Sequence, residues 1–152
     1  FAVALSGSIV QACEELIGGG YKFGGAETMA LVEGLTRAVK GVQVRQTGYC
    51  GLMLPVLEDR GLAKRVTDGS LSIGSLLGFS SVCGVGLDTV PIAGDASGEA
   101  IARVYADVAA MARRLNKPLS CRLFPVPGVA AGQLADFPDN PYLCASSALP
   151  VL

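Results

Sequence analysis

The chain of 152 residues contains no histidine and no tryptophan, and its net charge of −1 leaves no excess of basic residues. Without histidine the usual zinc-ligand spacings are absent, so any metal site would need other ligands, and we predict none. Without a basic excess there is no electrostatic footprint for nucleic acid, and we expect no such partner. No apolar run is long enough to span a bilayer, so we expect no membrane partner.

Cysteine pairs of the CxxC type are also absent, and the cysteine count of five is odd. Thiols scattered singly through apolar runs are typical of the reduced cysteines of a cytosolic protein. We therefore expect a cytoplasmic protein without structural disulfides. The cysteines are Cys13, Cys50, Cys83, Cys121 and Cys144.

Apolar residues make up 51% of the sequence and charged residues 16%, and there are 20 glycines, which favours a dense core with closely packed elements. Strand-like and helix-like periodicities alternate, which predicts a single α/β segment over residues 1–152 with largely parallel strands. Predicted strands cover residues 1–5, 42–46, 87–92 and 119–124. Predicted helices cover residues 9–17, 26–40 and 70–82, and a last one runs from a cap at Asp95 or Ser97 to a stop at residues 116–118.

Residues 47–55 follow a predicted strand, where the ligand crevices of α/β sheets gather. Gly48 and Gly51 flank Tyr49 and Cys50, so the backbone can turn sharply and present both side chains. Cys50 is a candidate nucleophile or redox group if a lysine, an arginine or a helix N-terminus stabilises its thiolate. Tyr49 and Gly51 are candidate ligand-binding residues. The alternative is a tight glycine turn around a packed cysteine.

Residues 83–95 place Asp88 and Asp95 near opposite ends of one predicted strand. Asp88 lies among apolar residues and needs a partner, so a metal ligand, a general base and an arginine partner all stay open. Asp95 is a candidate ligand-binding residue, although capping of the next helix is the simpler interpretation. Cys83 is a second candidate catalytic thiol. The glycines here form no dinucleotide fingerprint, and the cofactor stays unknown.

Arg122 interrupts the apolar alternation of the last predicted strand. Its guanidinium could therefore point into a cleft and hold an anion through two parallel hydrogen bonds. The alternative is a structural ion pair with an acidic neighbour such as Asp88, because buried charges are usually paired.

Five segments in chain order carry a resemblance to a known family: residues 46–60, 81–91, 94–95, 115–119 and 122–128. They resemble the uncharacterised family called domain of unknown function 711, often labelled pyruvate-formate-lyase-like. The resemblance implies a ten-stranded α/β barrel like that of glycyl radical enzymes. This chain would supply only the C-terminal part, and the barrel is incomplete in it.

The resemblance further implies a partner, which would be the missing N-terminal portion or a second chain completing the barrel, and a homo-oligomer is a further expectation. Val129 stands where members tend to have a basic residue, which argues against a site built by the C-terminal loop. No Arg-Val-x-Gly type of glycyl radical motif occurs in the sequence, so radical chemistry would rest on the fold alone.

Two functional hypotheses follow. In the first, the chain is part of an enzyme for a small anionic molecule in a barrel cavity. Cys50 and Cys83 would then supply thiol chemistry, Asp88 acid–base or metal chemistry, and Arg122 the anion clamp. In the second, it is a non-catalytic ligand-binding or assembly subunit. We expect the two glycine-rich stretches to lie at strand ends and to face one cavity. A polar cavity bordered by Cys50, Asp88 and Arg122 would favour the enzyme, whereas the same residues packed dry and apart would favour the non-catalytic subunit.

Overall fold

The structure is a computed structural model and describes residues 7–151, so the strand predicted for residues 1–5 lies outside the described residues. Within this range helices surround a parallel strand pair, and a short antiparallel pair lies near the end of the chain, which confirms the α/β class. The helices are α1 (Ile9–Ile17), α2 (Thr28–Lys40), a 3₁₀ turn (Val56–Glu58), α3 (Arg60–Thr67), α4 (Ile73–Ser80) and α5 (Gly98–Leu115). The strands are β1 (Gly86–Ala93), β2 (Ser120–Val126), β3 (Leu134–Ala135) and β4 (Ser146–Ser147).

Strand β1 is the centre of the fold, and all eight of its residues are buried. It pairs in parallel with β2, and α5 makes the crossover that two parallel strands require. On its other side β1 forms isolated parallel bridges through Asp88 to Pro55 and through Ile92 to Leu149. Strand β2 is half-exposed. Residues 7–151 therefore build a short parallel sheet, and within them the sheet does not close into a barrel.

Helix starts follow from side chains that accept hydrogen bonds from the first free N–H groups. The Ser8 hydroxyl accepts from the Val10 and Gln11 N–H groups at the start of α1. At α5 the cap is Ser97, which accepts from the Ala100 N–H, and Asp95 does not cap this helix. Asp95 lies too far upstream of the first helical residues, in an exposed turn after β1.

The strand predicted for residues 42–46 is wrong, because residues 42–44 form bends after α2 and residues 45–46 have no regular structure. Val42 and Val44 are 54% and 65% exposed, so their alternation has no partner strand to pack on. The Gln46 side chain instead donates to the carbonyls of Val39 and Lys40, which are left open at the end of α2.

The core packs helices α1 to α4 against β1 around several fully buried side chains. Burial of such a side chain stabilises the fold by about 1.5–3 kcal/mol each relative to exposure. Helix α5 is less completely packed: Val104 and Val108 are buried, whereas Tyr105 and Leu115, which the sequence places in the same stripe, are 49% and 41% exposed. Among the described helices none has both the length and the apolarity to cross a membrane. The largest fully buried side chains include Phe23, Leu57, Leu62, Leu71, Leu87 and Ile92.

Candidate functional site

A cavity of about 500 Å³ runs beside β1 and joins the two glycine-rich stretches; we call it the Asp88–Arg122 groove. One wall is the segment from Gly51 to Pro55, which reaches β1 through the Pro55–Asp88 bridge. The charged floor is formed by Glu58, Asp59, Asp88 and Arg122. The apolar walls include Ile9, Ala12, Val39, Leu52, Met53 and Pro55.

Asp88 enters this groove at an irregularity in the sheet. The pairing of β1 with β2 shifts register between Leu87 and Val90, so that Asp88 and Thr89 together lie opposite Arg122. Thr89 has a φ of 43°, a left-handed conformation that is a genuine outlier for a β-branched residue. Bulges are uncommon between parallel strands and often re-aim a side chain near a functional site.

The Thr89 hydroxyl adds to the strain at this bulge. Thr89 is 2% exposed, and its Oγ1 has no hydrogen-bond partner within residues 7–151. Burying an unpaired hydroxyl costs about 1–3 kcal/mol, so the surrounding structure must hold the bulge in place.

The centre of the groove is an ion pair between Arg122 and Asp88. The guanidinium donates to Asp88 Oδ1, and its Nη2 also donates to Glu58 Oε1 at 3.3 Å. The hydrogen bond that Arg122 donates to Asp88 raises the pKa of Arg122 further above its usual value, and burial opposes this rise. The Asp88 side chain is 5% exposed and that of Arg122 is 54% exposed. Two carboxylates therefore already neutralise the guanidinium that the sequence suggests as an anion clamp.

Asp59 lies beside this pair but has a structural task. Its carboxylate accepts from the Ser8 hydroxyl at 2.6 Å and from the Ile9, Gly61 and Leu62 N–H groups at 2.8, 2.8 and 3.0 Å. It thus caps α3 and ties the start of α1 to it. The Asp59 side chain is buried.

A second cavity, of about 330 Å³, lies on the other side of the same segment; we call it the lysine pocket. Lys40, Tyr49, Cys50, Gly84 and Lys117 line it, together with residues 46–48 and Pro118. The Cys50 thiol donates to the Thr47 carbonyl at 3.5 Å. No lining residue of this pocket is acidic.

Lys117 is fixed at the edge of the lysine pocket by backbone carbonyls. Its ammonium donates to the Ser80 carbonyl at 2.8 Å and to the Cys83 carbonyl. Burial lowers the pKa of Lys117, and the positive charge of Lys40 lowers it further, while the Cys83 thiol acts in the opposite direction. The sequence singles out neither lysine, although Lys117 lies within one of the segments that carry the family resemblance.

Gly51 and Gly84 separate the two cavities by direct backbone contact. A Cβ on Gly84 would lie 2.8 Å from the Gly51 carbonyl carbon and 3.0 Å from its Cα. The two glycine-rich stretches therefore touch, and both contribute to each cavity: Tyr49, Cys50 and Gly84 line the lysine pocket, whereas Gly51 and Asp88 line the groove. The candidate thiol of Cys50 and the Asp88–Arg122 pair lie in different cavities.

The remaining predicted residues lie apart from both cavities. The Cys83 thiol is buried, and its Sγ accepts from the Gly86 N–H at 3.4 Å, so it belongs to the packed turn before β1. Asp95 lies at the carboxyl end of β1, beside a shallow cavity of about 280 Å³ formed with Gly94 and residues 128–130. The structure thus brings Asp88 and Arg122 together and leaves Cys50, Cys83 and Asp95 in three other places.

The fold and the groove define a segment of an α/β protein with a parallel strand pair and a charged, strained site. The family model described as Uncharacterised ACR (DUF711) matches residues 2–140. The chain belongs to this family, which confirms the resemblance found in the sequence.

Three relatives show how much of the family's length the chain represents. It is 36% identical over 138 residues to a UPF0210 protein of Clostridium botulinum, covering 88% of this chain and 30% of that protein. It is 37% identical over 134 residues to one of Oenococcus oeni, covering 86% and 30%. It is 42% identical over 89 residues to one of Pyrobaculum aerophilum, covering 59% and 20%. The chain therefore spans less than a third of the length of these relatives. No solved structure matches it.

Proposed function

We propose that the chain is the ligand-binding segment of a larger α/β barrel, and that it binds a small molecule in the Asp88–Arg122 groove. The observation that carries this proposal is the strained bulge, which holds the buried carboxylate of Asp88 at the floor of an apolar cavity. Regular pairing of two parallel strands does not require a threonine with positive φ, so we infer that this strained backbone is kept for a functional site and not for strand pairing. Apolar cavities with a few fixed polar groups are the usual form of small-molecule sites.

The charges of the groove indicate which ligand it favours. Glu58 and Asp88 share Arg122, and Asp59 adds a third carboxylate, so the lining carries an excess of negative charge. Electrostatic complementarity then favours a cationic or hydrogen-donating head group over the anion expected from the sequence. Val39, Leu52 and Met53 would contact an apolar body on the same ligand. We assign Asp88 and Glu58 the binding of the head group, and Arg122 the positioning of Asp88.

A matched set of three probes tests this proposal: butylammonium, butanol and butyrate share one apolar body and differ in head-group charge. Methyl-¹³C methionine gives one NMR signal in the groove, from Met53, and two internal controls outside it, from Met29 and Met111. We expect butylammonium to shift the Met53 signal at lower concentration than butanol, and butyrate to act most weakly. The control signals should stay in place.

The variant Asp88→Asn should abolish the advantage of butylammonium over butanol. Glu99→Gln, which removes an exposed carboxylate on α5, should leave that advantage intact. An unmoved Met53 signal with all three probes would overturn the ligand-binding function. A preference for butyrate would overturn the assignment of the head group.

A second candidate function is assembly, and the edge of β2 favours it. β1 has neighbours on both sides, whereas β2 pairs on one side only within residues 7–151. An open strand edge is a template for another strand. Because the chain spans less than a third of its relatives, we propose that the remaining polypeptide of the family adds its strand to β2 and completes the ten-stranded barrel.

Hydrogen exchange tests the assembly proposal directly. In the 152-residue chain by itself, the amides of β2 should exchange much faster than those of β1. Addition of the remaining family polypeptide should protect them, and native mass spectrometry should report a one-to-one complex. If β2 is already protected in a monomer, its edge is covered within the chain and the proposal fails. If the β2 amides become protected and native mass spectrometry reports a dimer of this chain, the strand that pairs with β2 comes from a second copy instead of the remaining family polypeptide.

A further inference from the structure

The lysine pocket carries two positive charges that come from distant parts of the sequence. Lys40 ends α2, and Lys117 lies between α5 and β2, yet both line the same cavity with Cys50. Their charges act on each other, because Lys40 lowers the pKa of Lys117. Folding has therefore brought together two like charges, an arrangement that repels unless something between them is negative.

The protein supplies no such negative group within its described part. Every ion pair found in residues 7–151 uses arginine, and none uses a lysine. The Lys117 ammonium has two of its three donors bound to carbonyls, which fixes its position and leaves one hydrogen for a further acceptor. Tyr49, which is 51% exposed, adds a hydroxyl to the same cavity.

We propose that the lysine pocket is a binding site for a small oxyanion, a phosphate or carboxylate group, held between Lys40 and Lys117. This site is distinct from the Asp88–Arg122 groove, with which it shares no lining residue. An oxyanion has enough lone pairs to accept from both ammonium groups and from the Tyr49 hydroxyl at once. The proposal does not depend on the function assigned to the groove.

Cys50 offers a reporter inside the pocket. Iodoacetate is anionic and iodoacetamide is neutral, so a positive electrostatic potential at the thiol speeds alkylation by iodoacetate relative to alkylation by iodoacetamide. Cys50 and Cys121 are the two cysteines of the described residues that are not buried, and peptide mass spectrometry follows them separately because they lie in different peptides. We expect the iodoacetate-to-iodoacetamide rate ratio at Cys50 to exceed that of glutathione by about threefold at low salt.

Lysine variants decide whether this potential comes from the proposed site. Lys40→Gln should lower the ratio by about half, because it removes one of the two positive charges of the pocket. Lys40 is exposed, so the substitution should leave the fold intact. Lys117→Gln should lower it further, whereas Lys22→Gln, an exposed lysine outside the pocket, should not change it. A ratio equal to that of glutathione, or one that Lys40→Gln leaves unchanged, would overturn the proposal.

Protection experiments then test binding itself. Inorganic phosphate should slow the iodoacetate reaction at Cys50 more than chloride at matched ionic strength, and Lys40→Gln should remove the difference. Succinate in a parallel series shows whether carboxylates are accepted as well. If chloride protects as well as both oxyanions, the effect is only screening and no oxyanion site exists.

Discussion

The lysine pocket and the Asp88–Arg122 groove lie on the two sides of one glycine-rich segment, yet they have opposite charge. Cys50 lines the first and Gly51, the next residue, lines the second. The lysine pocket contains two lysines and no carboxylate, while the groove contains three carboxylates and one arginine. The glycine-rich segment sets the shape of both cavities, and residues far away in the sequence set their chemistry. Glycine-rich motifs therefore predict the place of a site better than its ligand.

The largest effect is expected where the two cavities meet. Gly84→Ala would place a Cβ against the backbone of Gly51, and backbone cannot move aside as a side chain can. We expect the free energy of unfolding to fall by about 2–3 kcal/mol, measured by urea denaturation. Gly34→Ala on α2 is the matched control, since its Cβ would meet nothing within 4 Å, and it should raise stability by about 0.5–1 kcal/mol. Equal effects of the two substitutions would contradict the close contact.

A smaller loss is expected from the ion pair of the groove. Asp88→Ala removes a buried carboxylate but leaves Arg122 half-exposed and bonded to Glu58, so water and Glu58 compensate in part. We expect a loss of about 1–2 kcal/mol in the free energy of unfolding, below the range for a fully buried pair. A double-mutant cycle with Arg122→Gln isolates the pairwise contribution. If the two losses simply add, the pair contributes nothing to stability.

A thiol moved from one cavity to the other would compare their charges directly. In a Cys50→Ser background, Met53→Cys places a reporter in the groove at a side chain that is 41% exposed. We expect its iodoacetate-to-iodoacetamide rate ratio to be about fivefold lower than that of Cys50 in the parent protein. Equal ratios at the two positions would remove the electrostatic difference between the cavities.

The smallest effect concerns Cys121, which precedes Arg122 on β2 and points to the opposite face of the strand. Burial raises the pKa of the Cys121 thiol from 9.0 to about 11. A thiol whose folded pKa is raised stabilises the protein below pH 9, and this contribution is lost as the pH rises through 11. Cys121→Ser should therefore flatten the decline of the unfolding free energy between pH 9 and 11. Ser120→Ala, the control on the same strand, should keep the parent slope.

Much of the fold could be predicted from the sequence, because local signals and packing agree there. The apolar run of β1, the cap at Ser8 and the helical pattern of α2 each specify one structure. The pattern at residues 42–46 fails because alternation becomes a strand only beside a partner. The exposed flank of α5 could not be predicted either. Periodicity shows which residues form the apolar stripe, but not how much of that stripe other elements of the fold pack against.

The sequence predicts which segments line the candidate site, but not which charged residues meet there. Asp88 and Arg122 each break an apolar pattern, and a buried charge needs a partner, so their pairing was among the alternatives. Lys40 and Lys117 break no pattern, because lysines near helix ends are common and usually solvated. Only the tertiary structure brings them beside Cys50.

The left-handed Thr89 has a consequence for the substitutions that related proteins tolerate at this position. If only the bend of the chain matters, glycine or asparagine should replace this threonine freely, since both adopt positive φ with less strain. If threonine or serine persists instead, the hydroxyl must be under selection, because it is the feature that the two side chains share and neither suits a positive φ as well as glycine does. An aligned set of relatives would thus show whether the bulge is only a device for aiming Asp88 or whether its hydroxyl has a task of its own.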